Sequence, residues 1–186
     1  MSKVSVSEES IDGKSKQKAY ALFESSFIDR IEVGTKKGLQ QIHAYLFDGL
    51  YDFAGNIRQK NLSKNGFQFA VSHFLGSTLN QIELMSENSF EEIIDKYIEL
   101  NIAHPFLDGN GRSMRIWLDL ILKKRLQKCV DWSKIGKKEY LDAMKKSPVD
   151  SSVIKSLIKN ALTVEINSLE VYMKGIDSSY YYETEE

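Results

Sequence analysis

The sequence predicts an all-α protein that carries one small β-hairpin. Apolar residues recur at the helical i, i+3, i+4 spacing through most of the chain. One segment, GNIRQKNLSKNGFQFA, breaks this period and contains the strong turn dipeptide Asn65-Gly66. The 186 residues, 42% of them hydrophobic and 27% charged, fit one soluble domain with its own core.

The N-terminal part of the chain contains two apolar helix faces. The first fourteen residues are rich in serine and charge and are expected to be frayed. Ala19, Leu22 and Phe23 then form one short face. The second face has five members: Leu39, Ile42, His43, Leu46 and Leu50.

The hairpin is predicted over about residues 57–69. Asn65-Gly66 suits a two-residue hairpin turn, and Phe67-Gln68-Phe69 alternates as a strand does. Its exposed tip would carry the polar residues Lys60, Asn61, Ser63 and Lys64.

Helices are expected again after the hairpin. One runs from Phe74 to Met85, and another starts at Ser89, whose capping-box partner would be Glu92, and continues to His104. The helix SMRIWLDLILKKRL follows, with core residues Met114, Trp117, Leu118, Ile121 and Leu122. Two or three more helices start near Lys137, Ser151 and Ile176.

Composition narrows the classes of function. A net charge of −1 disfavours a broad nucleic-acid surface, so no direct nucleic-acid binding is expected. Cys129 is the only cysteine, which excludes an intramolecular disulfide and a zinc-binding cysteine cluster. The polar N-terminus lacks the apolar core of a signal peptide, and no run reaches about 18 apolar residues. We therefore expect a cytoplasmic protein without a membrane span.

The stretch HPFLDGNGR, residues 104–112, carries the candidate chemistry. Pro105 should end the preceding helix, and Asp108-Gly109-Asn110-Gly111 supplies turn formers. A new helix resumes at about Gly111, so backbone N–H groups and the helix dipole face the loop. This arrangement predicts a site for phosphate oxygens.

The side chains around the loop match that prediction. Arg112 and Arg115 lie three apart on one helix face and can both reach a polyphosphate. Asp108 suits Mg²⁺, and His104 can act as a general base near neutral pH. Each also has an ordinary reading: a turn, an N-cap, a helix-end hydrogen bond or a solvated face. Their combination favours the phosphate site, with Phe106 anchoring the loop in the core.

The stretch from His104 to Arg115 resembles the signature of the Fic domain family, His-Pro-Phe-x-(Asp/Glu)-Gly-Asn-Gly-Arg-x-x-Arg, at every fixed position. GLYDFAGNIR, Gly49 to Arg58, resembles the stretch ahead of that family's hairpin, the flap. The helical core from about Ala19 to Leu162 fits the family fold. The resemblance implies a Fic domain over residues 15–175. It also implies transfer of AMP from ATP to a hydroxyl side chain of a target protein, with Mg²⁺.

The resemblance also implies roles for individual residues. His104 deprotonates the target hydroxyl, and Asp108 holds Mg²⁺. Asn110 and the loop N–H groups stabilise charge on the transferring group, while Arg112 binds the β-phosphate and Arg115 the γ-phosphate. The flap binds the target by strand addition. The predicted ATP-binding residues are Lys64, Asn101, Ile102, Ala103, His104, Gly109, Asn110, Gly111, Arg112, Ser113, Met114 and Arg115.

Residues 176–186 resemble the family's C-terminal inhibitory helix, (Ser/Thr)-x-x-x-Glu-(Gly/Asn). Ser179 and Glu183 match, whereas Thr184 departs from the last position. Ser178 or Ser179 would cap this helix, and Glu183 would pair with Arg115 in place of the γ-phosphate. The resemblance further implies self-assembly and relief by self-modification on a tyrosine, with Tyr180 as the candidate acceptor and Tyr181 and Tyr182 as its competitors.

Several alternatives stay open at this point. Family members that act as kinases carry a bulkier residue in place of Gly111, so this glycine favours AMP transfer, but phosphocholine transfer is compatible with the motif. Removal of AMP, with Glu183 positioning water, and a non-catalytic nucleotide-binding regulator are the other readings. The resemblance implies a bacterial type II topoisomerase subunit as one target to test. The sequence leaves the oligomeric state, the modified tyrosine and the effect of Thr184 undetermined.

Overall fold

The computed structural model describes residues 8–185. The helices in this range, in chain order, are α1 (Ile11–Leu22), α2 (Lys36–Phe47), α3 (Ser72–Glu83), α4 (Phe90–Ala103), α5 (Asn110–Leu126), α6 (Lys137–Lys146), α7 (Ser152–Asn160) and α8 (Leu169–Tyr182). Two 3₁₀ turns span Ile28–Arg30 and Trp132–Lys134, and the strands are β1 (Ser63–Lys64), β2 (Phe67–Gln68), β3 (Cys129–Val130) and β4 (Leu162–Thr163). The prediction of a helical fold with a small hairpin is confirmed.

The chain divides into two compact units. The central unit is residues 32–126, and the terminal unit joins residues 8–31 to residues 127–185. In the central unit α5 packs against α2 and α4, and α3 packs against the same two helices. All five predicted core residues of α5 are buried: Met114, Trp117, Leu118, Ile121 and Leu122. The helix that follows the motif is therefore the core helix of its unit.

The flap is a hairpin of two-residue strands in the central unit. β1 and β2 pair antiparallel, with Ser63 opposite Gln68 and Lys64 opposite Phe67. Asn65 and Gly66 both have positive φ, at 51° and 78°, as a type I′ turn requires. The hairpin was predicted over about residues 57–69, and its paired strands occupy the distal part of that range.

The two ends of α4 follow from its sequence. The Ser89 hydroxyl accepts a hydrogen bond from the Glu92 N–H at 3.2 Å, so the predicted N-cap is confirmed. The helix ends at Ala103, one residue before the His104-Pro105 pair. His104 takes a left-handed conformation, with φ 50° and ψ 67°. The chain thus leaves α4 abruptly, directly into the motif loop.

The terminal unit is organised around α8, which packs against α1, α6 and the 3₁₀ turn at Trp132–Lys134. In the same unit β3 pairs antiparallel with β4, with Cys129 opposite Thr163. Only the first hairpin was expected from the sequence, and this second pair was not. Two-residue strands that lie far apart in the chain leave no alternating pattern to detect.

The prediction of a frayed segment over residues 1–14 is wrong for its last part. The Ser10 hydroxyl accepts a hydrogen bond from the Gly13 N–H at 2.9 Å, and α1 begins at Ile11. Ala19 and Leu22 anchor this helix because both are fully buried. Residues 1–7 lie outside the described part of the chain.

The predicted start of the last helix near Ile176 is also wrong. α8 begins at Leu169, where the Ser168 hydroxyl accepts from the Val171 N–H at 3.2 Å. Ser178 and Ser179 therefore lie inside the helix and do not cap it. Gly175 lies inside α8, where an added Cβ would stand 3.4 Å from Trp132 Cδ1, an ordinary van der Waals distance. No helix within residues 8–185 is long and apolar enough to span a bilayer.

Candidate active site

His104 lies at the start of the motif loop, next to the base of the flap. Its N–H donates to the Leu100 carbonyl at 2.9 Å, which closes the last turn of α4. Its imidazole stacks on the Phe69 ring, with centroids 3.8 Å apart and planes 10° apart. Because Phe69 directly follows β2, the predicted base and the predicted target-binding hairpin are neighbours.

The Asn110 side chain closes the motif loop. Its Oδ1 accepts from the Phe106 N–H and its Nδ2 donates to the Phe106 carbonyl, both at 2.8 Å. Phe106 is fully buried, as expected for a core anchor, and its peptide groups need partners there. Both polar atoms of this side chain hold the loop in this conformation, and the role of Asn110 in stabilising the transferring group stays a prediction.

His43 holds the same loop from α2. Its Nδ1 accepts from the Gly55 N–H at 2.9 Å, so its Nε2 carries the proton and donates to the Asp108 carbonyl at 2.8 Å. The ring stacks on Phe106, with centroids 3.8 Å apart. Burial lowers the pKa of His43 to about 4; the nearby Arg112 charge acts in the same direction, and the Asp108 carbonyl opposes them. The neutral imidazole is thus a fixed structural bridge.

Gly109 is the residue that makes this close packing feasible. It has φ 82°, and an added Cβ would stand 2.5 Å from Phe47 Cε2 and 3.0 Å from His43 Nε2. Its carbonyl accepts from the Ser113 N–H at 3.2 Å, which starts α5. The N–H groups of a first helical turn have no carbonyl acceptor within the helix, and the dipole adds positive potential. The N-terminus of α5 is therefore a site suited to an anion.

Asp108 presents an ionised carboxylate at this helix end. Oδ2 accepts from the Tyr51 hydroxyl at 2.8 Å, Oδ1 accepts from the Gly109 N–H at 2.8 Å, and the side chain is 60% exposed. Partial burial acts to raise the pKa of Asp108. The Tyr51 hydrogen bond, the Arg112 charge, the Gly109 N–H and the Lys64 charge outweigh it and lower that pKa below its usual value. Burial and the contact with Asp108 raise the pKa of Tyr51 to about 12, so its hydroxyl stays a donor.

These properties fit Mg²⁺. No group of three or more His, Cys, Asp or Glu side chains gathers for a metal within residues 8–185. Mg²⁺ does not need such a group, because proteins commonly hold it through one or two carboxylates together with substrate phosphates and water. Asp108, exposed and ionised beside an anion site, is the residue that would hold it.

Both motif arginines are buried on α5. Arg112 Nη2 lies 3.3 Å from Asp108 Oδ1, and its guanidinium carbon lies 4.9 Å from the centre of the Phe47 ring. Arg115 is 2% exposed and one helical turn further along. Among the other predicted ATP contacts, Ala103, Ser113 and Met114 are buried, Asn101, Ile102 and Gly111 are half-buried, and Lys64 is exposed. The central unit therefore contains every predicted residue of the nucleotide site.

Three residues that shape this site had no predicted role. His43 was placed only on an apolar helix face, and Tyr51 and Arg58 were quoted only within a family-like stretch. Arg58 is buried and donates to backbone carbonyls on both sides of the flap and at the end of α4. The available signal was chemical: a histidine in an apolar face, and an arginine in a segment that breaks the helical period.

The predicted inhibitory residues lie in the terminal unit. Ser179 is buried on α8, and Glu183 follows the last helical residue. The Thr184 hydroxyl donates to the Tyr181 carbonyl at 2.7 Å, and Lys137 Nζ donates to the Thr184 carbonyl at 2.6 Å. Threonine thus ends this helix with its own side chain, without the left-handed residue that glycine or asparagine would supply. The pairing of Glu183 with Arg115 stays a prediction.

Tyr180 does not suit the role of modification acceptor in this conformation. Its hydroxyl lies 2.6 Å from Ser15 Oγ, and the residue is 1% exposed. Tyr182 is also buried and donates to the carbonyls of Trp132 and Ile135. Tyr181 is the most exposed of the three, so it is the candidate acceptor to test first, and the identity of the modified tyrosine stays a prediction.

The family model for the Fic/DOC family matches residues 34–122. Protein adenylyltransferase VbhT of Bartonella schoenbuchensis is 30% identical, over 79% of this chain and 34% of VbhT. The probable protein adenylyltransferase Fic of Salmonella typhimurium is 23% identical, over 66% of each chain. This chain thus spans about a third of VbhT and about two thirds of the Salmonella protein.

Solved structures share the fold. BepC of Bartonella tribocorum, with bound AMPPNP, superposes with a TM-score of 0.71 at 20% identity, over 82% of this chain and 84% of BepC. An N-terminal Fic domain of Bartonella quintana with bound ADP gives 0.68 at 19% identity, over 82% of this chain and 83% of that domain. Together with the His104–Arg115 motif and the geometry of its loop, these matches show that residues 34–122 form a Fic domain.

Proposed function

We propose that this protein is an adenylyltransferase that moves AMP from ATP to a hydroxyl side chain of a target protein. The observation that carries the proposal is the loop between α4 and α5. An imidazole lies at one end of this loop, a helix N-terminus suited to an anion lies at the other, and an ionised carboxylate lies between them. The relatives named as protein adenylyltransferases support the same reaction.

In the proposed reaction His104 accepts the proton of the target hydroxyl. The freed oxygen attacks the α-phosphorus of ATP, a new P–O bond forms, and pyrophosphate leaves with the electrons of the broken bond. Backbone N–H groups at the start of α5 stabilise the charge on the transferring group, while Arg112 and Arg115 bind the β- and γ-phosphates. A Mg²⁺ held by Asp108 would neutralise phosphate charge.

The flap is the proposed binding site for the target segment. Its polar tip is exposed, and a target strand added along it would be positioned by backbone hydrogen bonds. Register, more than side-chain identity, would then bring a hydroxyl to His104. The stack of Phe69 on His104 supports this proposal because it places the base beside the hairpin.

Labelled ATP tests the reaction class. The chain is incubated with a cell lysate and ATP that carries the label at either the α- or the γ-phosphate. We expect protein labelling from the α position only, and a loss of about 10²–10⁴-fold in His104→Ala with ATP binding retained. Label from the γ position would indicate a kinase, and equal labelling by His104→Ala would remove this residue from the mechanism. The labelled band identifies the target, including a topoisomerase subunit if that is the acceptor.

We further propose that α8 inhibits the transfer through Glu183. A carboxylate paired with Arg115 would compete with the γ-phosphate for the same guanidinium. Glu183→Gln should raise labelling. A free-energy difference of about 3 kcal/mol between the reactive and the misaligned binding mode of ATP corresponds to more than about a hundredfold in rate. Glu185→Gln, an exposed neighbour, is the matched control. Arg115→Ala should not activate, since it removes both contacts; activation by Arg115→Ala without activation by Glu183→Gln would contradict the pairing.

A further inference from the structure

Arg58 occupies the junction between the flap and the end of α4. It is 3% exposed. On the side of α4, Nε donates to the His104 carbonyl at 2.7 Å and Nη2 donates to the Ala103 carbonyl at 2.9 Å. These are carbonyls at a helix C-terminus, where partial negative charge favours a cation.

The same guanidinium also binds both limbs of the flap. Nη1 donates to the Lys60 carbonyl at 2.7 Å, ahead of β1, and Nη2 donates to the Ala70 carbonyl at 2.6 Å, after β2. Backbone bonds run alongside: the Arg58 N–H donates to the Pro105 carbonyl, and the Ala70 N–H donates to the Ile102 carbonyl. One buried side chain therefore joins three separate backbone segments.

The backbone of His104 needs such support. Its left-handed conformation is sparsely populated by residues other than glycine, and it is held between Arg58 on its carbonyl and Pro105 in the next position. Its ring is held by the stack on Phe69, the residue before Ala70. Both the carbonyl and the ring of His104 are thus fixed through the base of the flap.

We propose that Arg58 is a positioning residue that holds the base of the flap and His104 in a constant relation. This inference rests on the proposed function, because the flap presents the target hydroxyl and His104 receives its proton. Only arginine suits the position, because its planar guanidinium directs several N–H donors outward in one plane, whereas the lysine ammonium group is a single compact charge. None of the Arg58 hydrogen bonds given above reaches α5 or the motif loop beyond Pro105, where the predicted phosphate contacts lie. Arg58 does bind Ala103 and His104, two predicted nucleotide contacts, but only through their backbone carbonyls, so its effect should fall mainly on transfer.

Arg58→Lys in the Glu183→Gln background tests this inference, with the exposed Arg30→Lys as the matched control. Self-labelling from α-labelled ATP gives the rate, and calorimetry gives the ATP affinity. A misplacement of about 1 Å costs about 10²-fold in rate. We expect a loss of about that size in Arg58→Lys, an ATP affinity within about twofold and no change in Arg30→Lys. A parallel loss of rate and ATP affinity would overturn the inference.

Amide hydrogen exchange provides a readout that does not depend on activity. Loosening of the junction should speed exchange at the backbone N–H groups of residues 58 and 70 by at least about tenfold, while the Ser113 N–H on α5 stays protected. Unchanged exchange at both junction amides would overturn the inference even if the chain transfers no AMP. If the Glu183→Gln parent transfers no label while exchange is faster in Arg58→Lys, the result would count against the proposed function alone.

A second variant covers the outcome in which Arg58→Lys does not fold. Phe69→Leu removes the ring stacked on His104 and leaves the buried cation in place. It should reduce labelling without loss of ATP affinity. Where both variants fold, their combined effect should be smaller than the product of the two single effects, because both act on the position of His104. A double variant whose loss of labelling equals the product of the two single losses would mean that Arg58 acts elsewhere. Wild-type labelling by Phe69→Leu would also contradict the proposal.

Discussion

Replacing Asn110 by alanine should destabilise the protein as well as lower its activity. The side chain makes two buried hydrogen bonds to the peptide groups of Phe106, each 2.8 Å long. Alanine would leave one buried N–H and one buried carbonyl without that partner, and each such loss costs about 1–3 kcal/mol. The two together amount to about 2–6 kcal/mol.

Thermal unfolding measures this loss directly. For a chain of this size each 1 kcal/mol corresponds to about 2–4 °C in Tm, so even the low end of the range predicts a fall of about 4–8 °C. Asn160→Ala, at the exposed last position of α7, is the matched control and should unfold with the wild type. Circular dichroism at the helical signal follows both variants.

The result also separates two roles for this asparagine. If the side chain acted only on the transferring phosphoryl group, Asn110→Ala would lose activity and keep the wild-type Tm. An unchanged Tm would therefore refute the reasoning that the amide holds the loop closed. Wild-type activity together with a lowered Tm would confirm the loop contact and show that the reaction tolerates a looser loop.

Three further outcomes are expected. Gly109→Ala should weaken ATP binding and lower the Tm, because the added Cβ would overlap the Phe47 ring and because φ is positive at this position. Calorimetry measures the ATP affinity and thermal unfolding measures the Tm. Wild-type values of both would contradict the close packing. His43 has a lowered folded pKa, so its contribution to stability is complete above its ordinary value of 6.5 and is lost as the pH falls through about 4. The free energy of unfolding of His43→Gln should therefore depend less on pH across that window, and equal pH slopes would exclude the assignment. Tyr181→Phe should reduce self-labelling more than Tyr180→Phe, because the Tyr180 hydroxyl is buried against Ser15. Mass spectrometry of the labelled tail measures both variants, and the opposite order would favour Tyr180 as the acceptor.

The helical fold and the order of the motif residues could be predicted because their signals are local. Pro105 fixed the end of α4, Ser89 fixed its start, and the apolar spacing of α5 identified a core helix. Asn65-Gly66 similarly identified the flap turn. In each case neighbouring residues along the chain determine the backbone, so the pattern is readable without tertiary contacts.

Other features depend on contacts that form only when the chain is folded. The second strand pair joins residues far apart in the chain. The resemblance implied a role for Asn110 in transfer, whereas the hydrogen bonds of its side chain to the buried peptide of Phe106 are visible only in the folded loop. No local pattern carries that information.

The contacts of Arg58 also determine the electrostatic polarity of the site. Two helix ends meet at the motif loop, and their dipoles have opposite signs there: the C-terminus of α4 is negative and the N-terminus of α5 is positive. The guanidinium screens the negative end by binding the carbonyls of Ala103 and His104. The positive end of α5 and the buried Arg112 and Arg115 therefore lie beside a helix end whose negative charge is already bound by a cation. A chain with a net charge of only −1 can in this way favour a highly charged anion locally, at one helix end.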